Sequence, residues 1–257
     1  MVTSDLPYRI QTSAGHRKYL CSGIYMPSVT TVLSATESEK SKAGLRNWQK
    51  NNPGALEAAS TRGSAIHLGC ENYLRGLDPD VPEDYLDFWN GMSTYLDWFD
   101  TIHWSERPLR PDWNHLRSDD REVAFVWSTE HKYAGCPDLI GEIGGVRVIA
   151  DFKTSNAPYC SSFPDRGDRI GFGGYRKYTK CAQQMAAYRY ALNERTGFLC
   201  DAALIIVSTP ETTQGIFIDG DQLALHESRF LKRCQQFHEI DNETTDCSTQ
   251  ELQEQAE

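Results

Sequence analysis

The stretch Cys136-Pro137-Asp138-Leu139-Ile140-Gly141-Glu142-Ile143-Gly144-Gly145-Val146-Arg147-Val148-Ile149-Ala150-Asp151-Phe152-Lys153-Thr154 decides how this chain folds. Two runs rich in Ile, Val and Leu flank a Gly-Gly pair, the composition of a β-hairpin closed by a tight turn. Folding at the glycines returns the end of the second strand to the start of the first, so Asp138 and Asp151 converge. Two carboxylates on one spot repel unless a cation lies between them, and hard oxygen donors suit Mg²⁺ or Mn²⁺. Lys153 lies two residues beyond Asp151, hence on the same face of the strand. Its ammonium can orient or deprotonate a water, or neutralise charge developing on a phosphoryl group. A divalent cation, an activated water and a lysine suffice to hydrolyse a phosphodiester.

Upstream of the hairpin, Glu122 opens a strand-like run over 122–127 (EVAFVW). With 133–143 and 146–152 this run makes a three-strand meander. Glu122 then either faces the cation or buttresses Lys153. Residues 83–104 place Tyr85, Phe88, Trp89, Met92, Tyr95, Leu96 and Phe99 at the spacing of one amphipathic helix. Asn52-Pro53 starts a further helix that runs to about Leu74. It carries Arg62-Gly63-Ser64-Ala65-Ile66-His67, with Glu71 one turn later. The imidazole of His67 can complete a metal shell and favours Mn²⁺ tolerance. Arg62 either contacts a phosphate or pairs with Glu71. Ser28 caps a short helix over 29–35, 38–50 is helix-compatible, and 8–25 suits a short hairpin.

Downstream, Gly167, Gly171, Gly173 and Gly174 lie among Arg166, Arg169, Arg176 and Lys177, the composition of a flexible loop that clamps a strand. Residues 179–194 are helical and put Gln184 and Tyr188 on one face, offering an amide and a phenol to a phosphate or a base edge. Strands over 202–208 and 215–218 and a helix over 221–237 follow. The order specifies a mixed α/β (α+β) core, a central mixed sheet flanked by helices. One domain spans 1–237, with an acidic, disordered tail over 238–257.

Composition limits the alternatives. The net charge of −10 argues against a nucleic-acid partner until its distribution is read. Residues 238–257 hold seven acids and no Lys or Arg, whereas 155–180 hold five basic residues against two acids. Phosphate contacts are local and screened beyond about 10 Å, so an acidic chain can still bind DNA through such a stretch. Eight scattered cysteines form no Cys-x-x-Cys pair and read as free thiols. No apolar run reaches membrane-spanning length, and Met1 to Tyr8 lacks a secretory signal, so a cytoplasmic location is expected.

Taken together, RGSAIH, the Glu122 strand, GCPDLI, IADFKTS and QMAAY resemble the RecB-like exonuclease branch of the PD-(D/E)XK nuclease superfamily. The likeness covers roughly residues 25–210, also through PSVTTVL at 27–33, and is closest to the mitochondrial genome maintenance exonuclease and phage exonucleases. It implies a restriction-endonuclease-like core. It also implies metal ligation by His67, Asp138, Asp151 and the Phe152 carbonyl, with Lys153 as the catalytic lysine and Gln184 and Tyr188 as a Gln-x-x-x-Tyr motif. Digestion of single-stranded DNA ends, in recombination, replication or repair, follows from the resemblance alone. Some relatives hold an iron–sulfur cluster, but Cys200, Cys234 and Cys247 are too widely spaced for that pattern, so none is expected.

Each residue also has a plainer reading. Asp138, Asp151 and Lys153 taken singly suit turn chemistry and a solvated strand end, His67 a structural histidine, and Tyr188 a core position. Only their joint order favours a site. The rival functions are a structure-selective endonuclease, a non-catalytic DNA-binding module, and an acidic mimic of DNA acting through 238–257.

Overall fold

Gly144 and Gly145 take φ values of 57° and 80°, the paired positive angles that a two-residue hairpin turn requires and that glycine adopts at little cost. They join β8 (Leu139–Ile143) to β9 (Val146–Thr154) in antiparallel register, Ile143 opposite Val146 and Leu139 opposite Ala150. One more step of that register sets Asp138 opposite Asp151. The structure, a computed structural model, describes residues 7–11, 17–118 and 123–254.

Around this hairpin lies a six-stranded sheet in the order β11-β10-β9-β8-β4-β5. β4 (Thr101–Ser105) pairs antiparallel with β8, and the two-residue β5 (Arg107–Pro108) closes that edge. On the other side β10 (Ala202–Ser208) runs parallel to β9 and β11 (Thr213–Ile218) antiparallel to β10. The parallel pair needs a crossover, which α6 (Arg169–Thr196) supplies. Helices cover both faces, as the restriction-endonuclease-like core requires. Alternation along β9 and β10 sorts the core into two layers. Val148, Ala150, Phe152, Leu204 and Ile206 pack with Ile66 and Cys70 of α3 (Ala55–Leu74) and with Phe88, Met92 and Leu96. Ile149, Ala203, Ile205 and Val207 pack with Ala182, Met185 and Ala186 of α6 and with Phe230 of α7 (Gly220–Glu254).

The remaining elements sit at the periphery. β1 (Tyr8–Gln11), β2 (Arg17–Cys21) and β3 (Ile24–Pro27) form a three-stranded antiparallel sheet in place of a simple hairpin. α1 (Val29–Ala35) starts at Ser28, whose Oγ accepts from Thr31 N at 2.9 Å. α2 (Glu39–Asn51) follows and buries no side chain. Seven cysteines, Cys21, Cys70, Cys136, Cys160, Cys181, Cys200 and Cys234, are free. No helix among the described residues is long and apolar enough to cross a membrane.

Four expectations need correction. The single helix over 83–104 is instead a 3-10 turn, α4 (Leu86–Trp89), α5 (Met92–Leu96) and strand β4. Gly91 stands between α4 and α5, against the Thr213 side chain, where any Cβ would collide. Trp104 does not lie on an amphipathic face; it is fully buried in the sheet and its indole N–H donates to the Pro137 carbonyl at 2.8 Å. The strand expected over 122–127 does not join the central sheet. β6 (Val126–Ser128) pairs with β7 (Tyr133–Gly135) in a separate two-stranded ribbon, and Glu122 lies outside the described residues. The run over 133–143 is broken at Cys136-Pro137-Asp138, and β4 takes the third place in the meander.

The loop expected before residue 179 is half helix. α6 begins at Arg169, capped by Asp168, whose Oδ1 accepts from Gly171 N at 2.8 Å. Packing overrides the intrinsic helix cost of the glycines, about 1 kcal/mol each: Gly174 touches the Pro158 carbonyl and the Cys160 amide, leaving little room for a side chain. α7 runs on to Glu254.

Candidate metal centre and active site

Asp138 leaves the Pro137 kink just ahead of β8, and its Oδ2 accepts from the Phe152 amide at 2.9 Å. That bond fastens the strand ends of the hairpin together. α3 crosses the same end of the sheet and brings in His67, whose Nε2 lies 3.0 Å from the Phe152 carbonyl and Nδ1 3.5 Å from Asp138 Oδ1. A third acid comes from a residue that the sequence reading passed over. Glu106 forms the one-residue link between β4 and β5, with φ of 57°, a strained value for a side-chain-bearing residue. Its amide donates to the Asp138 carbonyl at 3.2 Å. Donor atoms of His67, Glu106 and Asp138 all lie within 4.8 Å of one another, the one such cluster among the described residues.

Asp151 sits one contact further in. It is fully buried, in ion-pair contact with Lys153, and its Oδ1 accepts from Gln184 Nε2 at 3.2 Å. Lys153 also donates to the Phe152 carbonyl at 3.3 Å. Gln184 Nε2 lies 3.2 Å from the Tyr188 hydroxyl, so the i, i+4 pair read from the sequence acts as one unit on α6. Tyr188 is only 5% exposed and Gly135 of β7 abuts its ring; a Cβ there would overlap it. Gly135→Ala is therefore expected to lower stability by about 1–3 kcal/mol and to displace Tyr188 from Gln184. A denaturant midpoint unchanged from wild type would refute this.

Electrostatics follow from crowding three acids around one ammonium. Burial, and then the neighbouring Asp138, push the Glu106 carboxyl up to about 7. Burial pushes Asp151 up to about 6, against the pull of Lys153. Burial pulls Lys153 down most strongly, but Asp151, Cys181 and Asp138 together outweigh it and hold the ammonium above the ordinary lysine value. In the metal-free protein this favours the charged form of Lys153. Its place is to orient a water and to offset negative charge.

The donor set fits a hard divalent cation: two carboxylates and an imidazole converge where like charges oppose each other. Elevated proton affinity in the cluster has a measurable sign. Folded Glu106 and Asp151 keep protons that unfolded carboxyls release near pH 4, so the metal-free fold binds more protons than the unfolded chain. Metal-free stability is expected to fall as pH rises from about 4 to 7, and stabilisation by added Mn²⁺ to grow over the same window. Glu106→Gln should flatten both trends and weaken Mn²⁺ binding by about ten-fold or more. Thermal unfolding in EDTA and in Mn²⁺ across that range checks this; equal metal-induced shifts in wild type and Glu106→Gln would refute the role of Glu106.

A cleft of about 530 Å³ opens over this cluster, lined by Arg17, Ser28, His67, Glu106, Lys153 and Gln184 among others. A larger one, about 690 Å³ between the β6–β7 turn and α7, mixes Glu130, Glu227, Lys132 and Lys232 and converges no comparable donors.

No protein-family model matches this chain, and no curated protein matches it. Several solved structures resemble it in part. The crystal structure of SSO0001 is 15% identical over 41% of each chain, with a TM-score of 0.24. A Eubacterium rectale protein described as a candidate exonuclease is 16% identical over 68% of each chain, with a TM-score of 0.33. The chain thus spans less than half the length of the first. Likenesses at these TM-scores carry no weight for fold or function, which rest on the sheet and the donor geometry.

The basic residues named from the sequence separate by position. Arg176 turns to Glu37 at 3.6 Å, and Arg169 is exposed in the first turn of α6. Arg62 does not pair with Glu71, which Arg75 holds. Lys177 donates to Ser155 Oγ at 2.9 Å, just past the end of β9. Arg9 and Arg17, from β1 and β2, reach the cleft without any sequence signal.

Proposed function

We propose that this protein is a DNA exonuclease of the PD-(D/E)XK type, dependent on Mg²⁺ or Mn²⁺ and acting on single-stranded ends. One observation carries the reading: the convergence of His67, Glu106 and Asp138 beside the buried Asp151–Lys153 pair. Asp138, Glu106 and His67 would hold the cation, with the Phe152 carbonyl and Asp151 adjacent. When bound, the cation supplies Lewis-acid polarisation of a phosphoryl oxygen and a water of lowered pKa. Lys153 keeps its proton and faces the charge that builds up on the phosphoryl group. Gln184 fixes Asp151, and Tyr188 fixes Gln184. Arg62, Arg169, Arg176 and Lys177 are assigned to the DNA backbone. The exonuclease and single-strand choices and the setting in DNA recombination, replication or repair derive from the sequence resemblance, and the cytoplasmic location from the sequence's lack of a secretory signal or membrane-spanning run.

A binding module needs neither a strained Glu106 nor a charged lysine paired at the cluster, so catalysis is favoured over mere holding. The test is a digest of 5′- or 3′-labelled single strands in Mg²⁺, Mn²⁺ or EDTA, beside a circular single strand. Metal-dependent release of nucleotides from the linear strand, with the circle intact, is expected. Cleavage of the circle would replace the exonuclease with an endonuclease, and no release under any metal would end the nuclease reading.

A further inference from the structure

Two cations from different helices stand near the end of β9. Arg62, on α3, lies 4.3 Å over the Phe88 ring, and its Nε is buried without a hydrogen-bond partner. Among the described residues it makes no hydrogen bond or ion pair, since Glu71 is occupied by Arg75. Lys177 approaches from α6, its ammonium tied to Ser155 Oγ and 5.7 Å from the Tyr159 ring. Burial holds that ammonium below the ordinary lysine value, and the nearby Arg62 guanidinium pushes the same way. The helices carrying the two cations flank the end of β9, where a Cβ at Gly63 would lie 3.9 Å from the Thr154 hydroxyl, in ordinary contact.

We propose that Arg62 and Lys177 form one phosphate-binding subsite, which grips a single phosphate of the substrate strand beside the scissile one. This rests on the nuclease reading. Ser155 lies two residues beyond Lys153, just past the end of β9 and about 7 Å on at ~3.3 Å per residue, so the subsite stands next to the proposed catalytic cluster but apart from it. Arginine presents a planar fork of donors and lysine a point charge, a pairing suited to a phosphate. Stacking on Phe88 fixes the guanidinium plane in advance of binding. Without an anion, the two like charges oppose each other.

The experiment is binding of labelled 12-nucleotide single strands to the full chain in EDTA, read by fluorescence anisotropy, for wild type, Arg62→Gln, Lys177→Gln and the double variant. Each single change is expected to weaken binding by about ten-fold and lower the salt slope by about 0.7. The double variant should lose less than the product of the singles, because both groups grip the same phosphate. Arg62→Lys and Lys177→Arg keep the charge and should recover part of the affinity, which separates the role from misfolding. Neutral methylphosphonate placed at each position in turn should weaken wild type at one phosphate and leave the double variant unaffected there. An internal position identifies a backbone diester as the ligand; sensitivity to a terminal phosphate instead identifies a strand end. Strictly multiplicative losses, or no phosphate whose neutralisation is masked by the double variant, overturn the subsite. Because no metal is present, this outcome is independent of whether the protein cleaves DNA.

Discussion

Asp138→Asn is expected to reduce metal-dependent phosphodiester hydrolysis by about 10³-fold while leaving the fold intact. The asparagine keeps the shape of the side chain, and its carbonyl oxygen can still accept from the Phe152 amide that Asp138 Oδ2 accepts from now. What disappears is the charge shared with His67 and Glu106, on which the donor cluster depends. Asp138 also raises the proton affinity of Glu106 and Asp151. Neutralising it relieves that repulsion, so the metal-free variant should be at least as stable as wild type near neutral pH. Added Mn²⁺ should then no longer raise its Tm. The combination is diagnostic: lost activity and lost metal stabilisation with retained metal-free stability. A variant that is still stabilised by Mn²⁺ and still cleaves would remove Asp138 from the metal centre.

Lys153→Ala should abolish cleavage and also cost about 3–5 kcal/mol of stability, because it leaves a buried carboxylate without its partner. Asp151 is fully buried, and Lys153 is its ion-pair partner. A lysine at a solvated strand end would cost little to remove, but this one is held against a buried acid. The cost should be largest above pH 7 and shrink toward pH 5, where Asp151, already raised to about 6 with the lysine present, takes up a proton. Combining Asp151→Asn with Lys153→Met removes both charges and should recover most of the loss without restoring activity. Urea midpoints for the three variants at two pH values decide the matter. Equal stability of Lys153→Ala and wild type at high pH would show that Asp151 is not held by this pair.

Local chemistry made part of the site readable. The Gly-Gly turn, the alternation around it and the period of 2 fix the hairpin, and the hairpin alone brings Asp138, Asp151 and Lys153 together. The Gln184–Tyr188 spacing survives for the same reason, since one helical turn suffices to make the contact. Glu106 was not readable. Trp104-Ser105-Glu106-Arg107-Pro108 resembles the end of an amphipathic helix, and nothing local marks Glu106 as a strained link between two strands. Glu122 was named instead because its strand-like neighbours precede the hairpin, but those neighbours pair in a separate ribbon.

The sequence by itself determined the hairpin, its converging carboxylates and the lysine on their face, because these depend on contacts between near neighbours in the chain. Only the tertiary structure decided which strand flanks β8, that α6 begins ten residues early through a glycine-rich turn, that Arg62 is left without an acid, and that Asp151 is sealed from water. Those outcomes depend on long-range packing and on the desolvation that it imposes, and neither a motif nor a period encodes them.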